Sequence, residues 1–162
     1  MFQKFDRPMP YPALIGFAYN SAGMFPILHR GNNVRSAKNL WSLVSGLHET
    51  GLTLAQQFAN ECREEVNLEI IPSTFHVFGC YDEILEENGQ KWHWLMILCS
   101  AQVVSLGTLK NVEPEKHDEL MLTILNGNFF KNYVGKMSPA TSEFIYSKSP
   151  EIVRHITNNN GR

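Results

Sequence analysis

At 162 residues, 43% hydrophobic and 19% charged, the chain has an ordinary globular composition and is long enough to bury a sizeable core as one domain. Fourteen Lys and Arg against sixteen Asp and Glu give a formal charge of -2. That excludes the basic surface needed to grip long DNA or RNA, while a small nucleotide needs only a local site. The cysteines Cys62, Cys80 and Cys99 contain no CxxC pair, so neither a disulfide scaffold nor a zinc site is expected. All three read as buried packing thiols, and unpaired thiols suit a reducing, cytoplasmic setting.

The opening MFQKFDRPMPYP lacks the apolar run of a signal peptide. The most apolar later stretch, Trp94 to Val104, is too short to span a bilayer, so no membrane partner is expected. Ala13 to Tyr19 is apolar and aromatic enough for a strand. Ser21-Ala22-Gly23 then makes a turn, and Met24 to His29 reads as a second strand. Residues 30–39 form a polar, basic loop, and Leu40 to Val44 is a short apolar segment ending in Ser45-Gly46.

Residues 53–66, TLAQQFANECREEV, are the clearest helix. Thr53 can cap it, and Ala55, Phe58, Ala59, Cys62 and Val66 recur at steps of three and four to give one apolar stripe. Asn67 is a suitable left-handed C-cap. Thr74 to Tyr81 and Trp92 to Val104 read as strands on either side of Glu87-Asn88-Gly89-Gln90, a hairpin turn signal. Glu119 to Leu125 fits strand or helix, with Met121, Leu122, Ile124 and Leu125 expected in the core. Pro139 to Ser147 and Pro150 to Ile156 read as two C-terminal helices, and Asn158 to Arg162 as a frayed tail. Strands around a central helix, followed by terminal helices, predict a mixed α/β domain.

Glu61, Glu64 and Glu65 share one face of the helix at i, i+3 and i+4, beside the apolar stripe and expected to face solvent. Such a run is ordinarily a solvated acidic face. Three carboxylates so close also suit a hard divalent cation, which favours a few carboxylate oxygens together with waters and phosphates. The surrounding sequence favours the second reading. Residues 46–68, GLHETGLTLAQQFANECREEVNL, resemble the Nudix box, Gx5Ex7REUxEExGU with U a bulky apolar residue. Gly46 matches the opening glycine, Glu61 the glutamate of the RE pair, Cys62 the U position, Glu64 and Glu65 the EE pair, and Leu68 the closing apolar residue. The preceding NLWSLVSG is similar to the family's LWxLPGG segment. Downstream, NVEPEKHDEL (residues 111–120) resembles an NxEPEKxxE stretch of members acting on nucleoside triphosphates, and Trp92-His93-Trp94 stands where such members carry a His–aromatic pair.

The resemblance implies an α/β/α sandwich with a mixed central β-sheet, the box forming loop–helix–loop. It implies a Mg²⁺ or Mn²⁺ site built from Gly46, Glu61, Glu64 and Glu65, with Glu113 or Glu115 adding a carboxylate from the downstream loop. Glu61 and Glu64 would be catalytic, Glu61 ordering or deprotonating the attacking water. The implied activity is pyrophosphohydrolysis of a nucleotide-like small molecule, such as a nucleoside triphosphate giving monophosphate and pyrophosphate; a homodimer is left open.

Candidate substrate contacts are Arg30 in the basic loop, His48 in the box loop, His93, and the aromatic residues Tyr81, Trp92 and Trp94, whose faces can stack on a base. Arg35 and Lys38 could meet phosphates, whereas His117 beside Asp118 is not expected to form a base–orienter pair. Three positions depart from the box: Leu52 replaces its first glutamate, Asn60 its arginine and Asn67 its glycine. Asn67 can take the left-handed conformation. Asn60 can hydrogen-bond but carries no charge to orient Glu61. Leu52 and Asn60 motivate the alternative of a catalytically weak domain that binds a nucleotide as a sensor or adaptor.

Overall fold

The structure is a computed structural model that describes residues 9–159; segment 1–8 and residues 160–162 of the tail expected at Asn158 to Arg162 lie outside the described residues, whereas Asn158 is the last residue of a helix and Asn159 its C-cap. Strand β1 (Tyr11–Tyr19) is buried along most of its length because it is covered on both faces, which its near-continuous apolar run permits. It pairs antiparallel with β4 (Val44–Leu47) and parallel with β6 (Gln90–Gln102). Strand β5 (His76–Glu87) completes a mixed sheet in the order β4-β1-β6-β5. The β5–β6 hairpin turns at Asn88 and Gly89, both with positive φ, as the Asn-Gly signal predicts. A second sheet, antiparallel, has the order β3-β2-β7, from Trp41–Ser42, Met24–Arg30 and His117–Ile124.

Alternate residues of β1 feed two cores. Ala13, Ile15, Phe17 and Tyr19 join Phe25, Phe78, Phe129, Ile145 and Ile152 beneath helices α2 (Gly127–Asn132) and α3 (Pro139–Asn158). Leu14 and Ala18 face α1 (Leu54–Val66) and meet Phe58, Cys62 and Val66. Gly16 lies between them: a Cβ there would sit 2.7 Å from the Cys99 carbonyl and 2.8 Å from the Phe58 ring, so its absence lets α1 approach the sheet. Helices on both faces of a mixed sheet give the expected α/β/α sandwich.

Four expectations are corrected. Residues 139–158 form one helix that runs through Pro150. The carbonyl of Tyr146, which Pro150 cannot bond, accepts from the Ser149 hydroxyl at 2.9 Å instead. Residues 117–124 are a strand with one neighbour, β2, and this edge position leaves Met121, Leu122 and Ile124 exposed, not in the core. Cys62 and Cys99 are buried, but Cys80 is exposed on the outer hairpin. The glutamates of α1 do not all face solvent: Glu65 is buried, Glu61 half-buried, and Glu64 alone exposed. Residues 110–112 cover that face, where the Lys110 and Val112 N–H groups donate to the carbonyls of Val66 and Glu65 at 3.1 Å each.

Candidate metal and nucleotide site

Both ends of α1 are fixed locally. Thr53 and Gln56 form a reciprocal capping box at the N-terminus. At the other end Asn67 adopts φ 56°, its N–H and that of Leu68 returning to the carbonyls of Arg63 and Cys62. The side chain of Asn67 also donates to the Thr108 carbonyl at 2.8 Å, tying the helix end to the loop that covers it. The helix is therefore held in register against β4 and the 110–117 segment, and these three pieces supply the site.

A cleft of about 670 Å³ opens where they meet, lined by Glu61, Glu64, Glu65, Glu113, Arg30 and His117 among others. The Glu65 carboxylate accepts the Ser45 N–H at 2.9 Å, which pins β4 to the helix. Burial holds this carboxyl well above its usual range, with the Ser45 bond pulling the other way. The Glu61 carboxylate packs directly over Gly46, so closely that a Cβ there would lie 2.0 Å from its carboxyl carbon. Burial first, then the neighbouring charges of Glu64 and Glu113, push Glu61 up to about 7 against the lowering effect of Gln57.

Ligand atoms of Glu65, Glu113 and His117 lie within 4.8 Å of one another. His117 is buried, 3.7 Å from Glu65, and held neutral at a pKa of about 4 by desolvation and by Arg30. Glu113 is tied to Lys116 at 2.6 Å. Clustered carboxylates, desolvated, repelling one another and cradled by a glycine, fit an oxygen-seeking divalent cation, and neutral His117 could add a nitrogen.

Gln57 answers the departures at positions 52 and 60. It is 1% exposed; its amide donates to Glu61 at 2.7 Å and its carbonyl accepts the Glu49 N–H at 2.9 Å. It links the box loop to the helix and orients Glu61 without a charged residue. Asn60 turns elsewhere, accepting from Arg63 at 2.6 Å. In the loop, His48 bonds the Leu52 carbonyl at 2.7 Å.

The other sequence candidates divide between cleft and surface. Arg30, Gly46 and Trp94 line the cleft, as do Arg35 and Glu113. The guanidinium of Arg30 donates to the Ser36 carbonyl at 3.2 and 3.0 Å. Trp92 stacks on Trp94 at 5.6 Å beneath the Arg35 guanidinium, just beyond the lining. Tyr81 is packed on Phe144 and bonded to Thr141. His93 lies on the opposite face, bonded to Asp82 at 2.9 Å; His48 is committed to its loop, and Glu115 and Lys38 are exposed outside the lining. Asp118 pairs with His29, not with His117. The sequence reading missed Gln57, the place of His117 in the cluster, and Glu83, a buried carboxylate of the cleft. Gln57, in the first turn of the helix beside the apolar stripe, carries no local signal of this role.

No family model and no curated protein matches the chain. Solved structures do. The MutT protein of Methanosarcina mazei Go1 superposes with a TM-score of 0.67 at 18% identity, over 92% of this chain and 99% of that one. The chain has the Nudix hydrolase fold. A MutT Nudix hydrolase from Burkholderia pseudomallei matches at TM-score 0.60 and 20% identity over 73% of this chain and 85% of its own. A bifunctional NMN adenylyltransferase/ADP-ribose pyrophosphatase from Francisella tularensis, complexed with AMP and a manganese ion, matches at 0.63 and 18%; the present chain covers 43% of that longer protein. On the Nudix fold, residues 46–68 are the loop–helix–loop that the box resemblance implies.

Proposed function

We propose that the protein is a metal-dependent hydrolase of a phosphoanhydride bond in a nucleotide-like substrate, such as a nucleoside triphosphate cleaved to monophosphate and pyrophosphate. The observation that carries this reading is the seating of Glu61 over Gly46, beside Glu65 and the Glu113–His117 pair, in a cleft that also holds Arg30 and Trp94. Glu61, Glu64, Glu65 and Glu113, with the Gly46 backbone, would hold Mg²⁺ or Mn²⁺, which polarises phosphate oxygens and lowers the pKa of water when bound.

Each residue then has a defined task. Gln57 fixes one oxygen of Glu61, so that the carboxylate is oriented before substrate arrives. Glu61 orders or deprotonates the attacking water, its carboxylate set in place by Gln57 and seated over Gly46. Glu65, anchored by Ser45, holds the helix and β4 at fixed separation. Arg30 and Lys116 supply the positive charge that a polyphosphate needs on the cleft wall. The longer Francisella neighbour was solved with AMP and a manganese ion, ligands of the kind proposed here. The sensor alternative rests on the uncharged residues at 52 and 60; the bond from Gln57 to Glu61 favours the hydrolase over it, because it orients that carboxylate without the charge missing at 60.

A panel of nucleoside triphosphates, dinucleotides and sugar nucleotides incubated with Mg²⁺ or Mn²⁺, with products read by mass, tests the proposal. Metal-dependent cleavage of a phosphoanhydride is the expected result. Binding without cleavage across the panel would favour the sensor.

A further inference from the structure

Glu83 is a buried carboxylate of the cleft that belongs to β5, not to the cluster on α1. It lies directly across from Trp94 in the β5–β6 register, on the sheet face that looks toward α3. Two hydroxyls converge on one of its oxygens: Ser138 donates to Oε1, and Thr141 approaches the same atom at 3.3 Å. Ser138 and Thr141 are 2.8 Å apart, and the Tyr81 hydroxyl backs Thr141 at 2.7 Å. The side chain is thus locked through Oε1, and among the described residues Oε2 receives no hydrogen bond. Arg30, whose charge acts on Glu83, has its guanidinium bonded to the Ser36 carbonyl. The cleft lining also includes the aromatic and apolar side chains of Trp41, Trp94, Met96 and Met137.

The two hydroxyls hold Oε1, which leaves Oε2 as the oxygen of this cleft-lining carboxylate that can accept from a ligand. The complementary ligand is planar and carries N–H donors along its edge. We propose that Glu83 is the base-reading residue of the site and selects a nucleobase bearing an exocyclic amino group, stacked along the Trp94 wall. This rests on the nucleotide reading given above and narrows it. With Oε1 held by Ser138 and Thr141, Oε2 accepts one N–H bond from the exocyclic amino group of a guanine, adenine or cytosine edge. Uracil and thymine lack that amino donor, and their single N–H is flanked by carbonyl oxygens that repel the carboxylate.

The test compares kcat/KM for GTP, ATP, CTP and UTP in the wild type and in Glu83→Gln, which keeps the shape and the bonds to Ser138 and Thr141. The wild type should prefer at least one amino-bearing base over uracil by about a hundredfold or more, since sites built to hydrogen-bond a donor reject analogues lacking it. Glu83→Gln, which can also satisfy a uracil edge, should compress that preference by about tenfold or more. As a readout independent of turnover and metal, binding of the four nucleoside monophosphates is followed by quenching of tryptophan fluorescence. UMP should bind weakest to the wild type, and Ser138→Ala, which loosens Glu83, should weaken binding of the preferred base while thermal melting verifies folding. Equal handling of uracil and amino-bearing bases by the wild type, or an unchanged preference in a folded Glu83→Gln, overturns the proposal while leaving the hydrolase reading intact. Failure to bind or cleave any nucleotide overturns both.

Discussion

Gln57 is the residue on which the catalytic reading can be pressed hardest, because it stands in for a charge that the Nudix box ordinarily carries. Replacing it by Leu keeps the helix propensity and nearly the volume at a position 1% exposed, but removes the amide that donates to Glu61 at 2.7 Å and the carbonyl that accepts from Glu49 at 2.9 Å. A hydrogen bond to a charged group contributes about 1.5–3 kcal/mol. If it is expressed in the transition state, its loss costs roughly tenfold to a hundredfold in kcat. The Glu49 N–H lies on an exposed loop where water can replace its partner, so the melting temperature should change far less than the rate. Gln57→Glu should be worse in rate, because it sets a second carboxylate against Glu61. Asn60→Arg should bring little gain, since Gln57 already holds Glu61 and the new side chain would meet Arg63, the present partner of Asn60. Metal-dependent product release and thermal melting, measured side by side, check these outcomes. A folded Gln57→Leu variant with wild-type turnover would refute the reasoning.

Further predictions concern the same cluster. Gly46→Ala should lower turnover by about tenfold or more with little change in melting temperature, because the new Cβ must displace the Glu61 carboxylate, the movable end of a side chain. Glu61 has a pKa raised to about 7 in the metal-free protein, so the folded state binds its proton more tightly than the unfolded chain; the stability this contributes is present at pH below about 4.5 and lost as pH rises through 7. Melting in chelator should therefore show Glu61→Gln gaining on the wild type between pH 5 and pH 8; a constant difference would contradict the burial argument. Mn²⁺ or Mg²⁺ at millimolar concentration should raise the melting temperature more than NaCl of equal ionic strength, and Glu65→Gln should abolish that increment; equal effects of the salts would favour an ordinary acidic face.

What the sequence revealed follows from how local its signals are. Thr53, Gln56 and Asn67 define α1 through bonds spanning a few residues, and Asn88-Gly89 defines the hairpin by its backbone preference alone. The order of Gly46, Glu61, Glu64 and Glu65 was legible because helix geometry places the three glutamates together. The burial of Glu65 and the partial burial of Glu61 were not, since residues 110–117, distant in sequence, fold back over Glu65 and bring His117 beside it. Spacing could not choose between Glu113 and Glu115; the turn that bonds Lys116 to Glu113 puts Glu113 in the cleft and leaves Glu115 exposed. Glu83 lies beyond the strand expected at Thr74 to Tyr81, and nothing local singles it out; its setting comes from the longer β5 and from α3, which brings Ser138 and Thr141 onto it. Met121, Leu122 and Ile124 were misplaced because composition does not say whether a strand is central or at an edge.

The most direct test of the central claim is hydrolysis of the best nucleotide substrate in ¹⁸O-labelled water with Mg²⁺ or Mn²⁺, run on the wild type and on Glu64→Gln, whose exposed side chain leaves the fold undisturbed. The wild type should place one ¹⁸O on a phosphorus of the cleaved bond, lose activity in chelator, and exceed Glu64→Gln by about a hundredfold or more. Turnover that persists in chelator, or a Glu64→Gln variant as active as the wild type, would contradict a metal-dependent phosphoanhydride hydrolase built on α1.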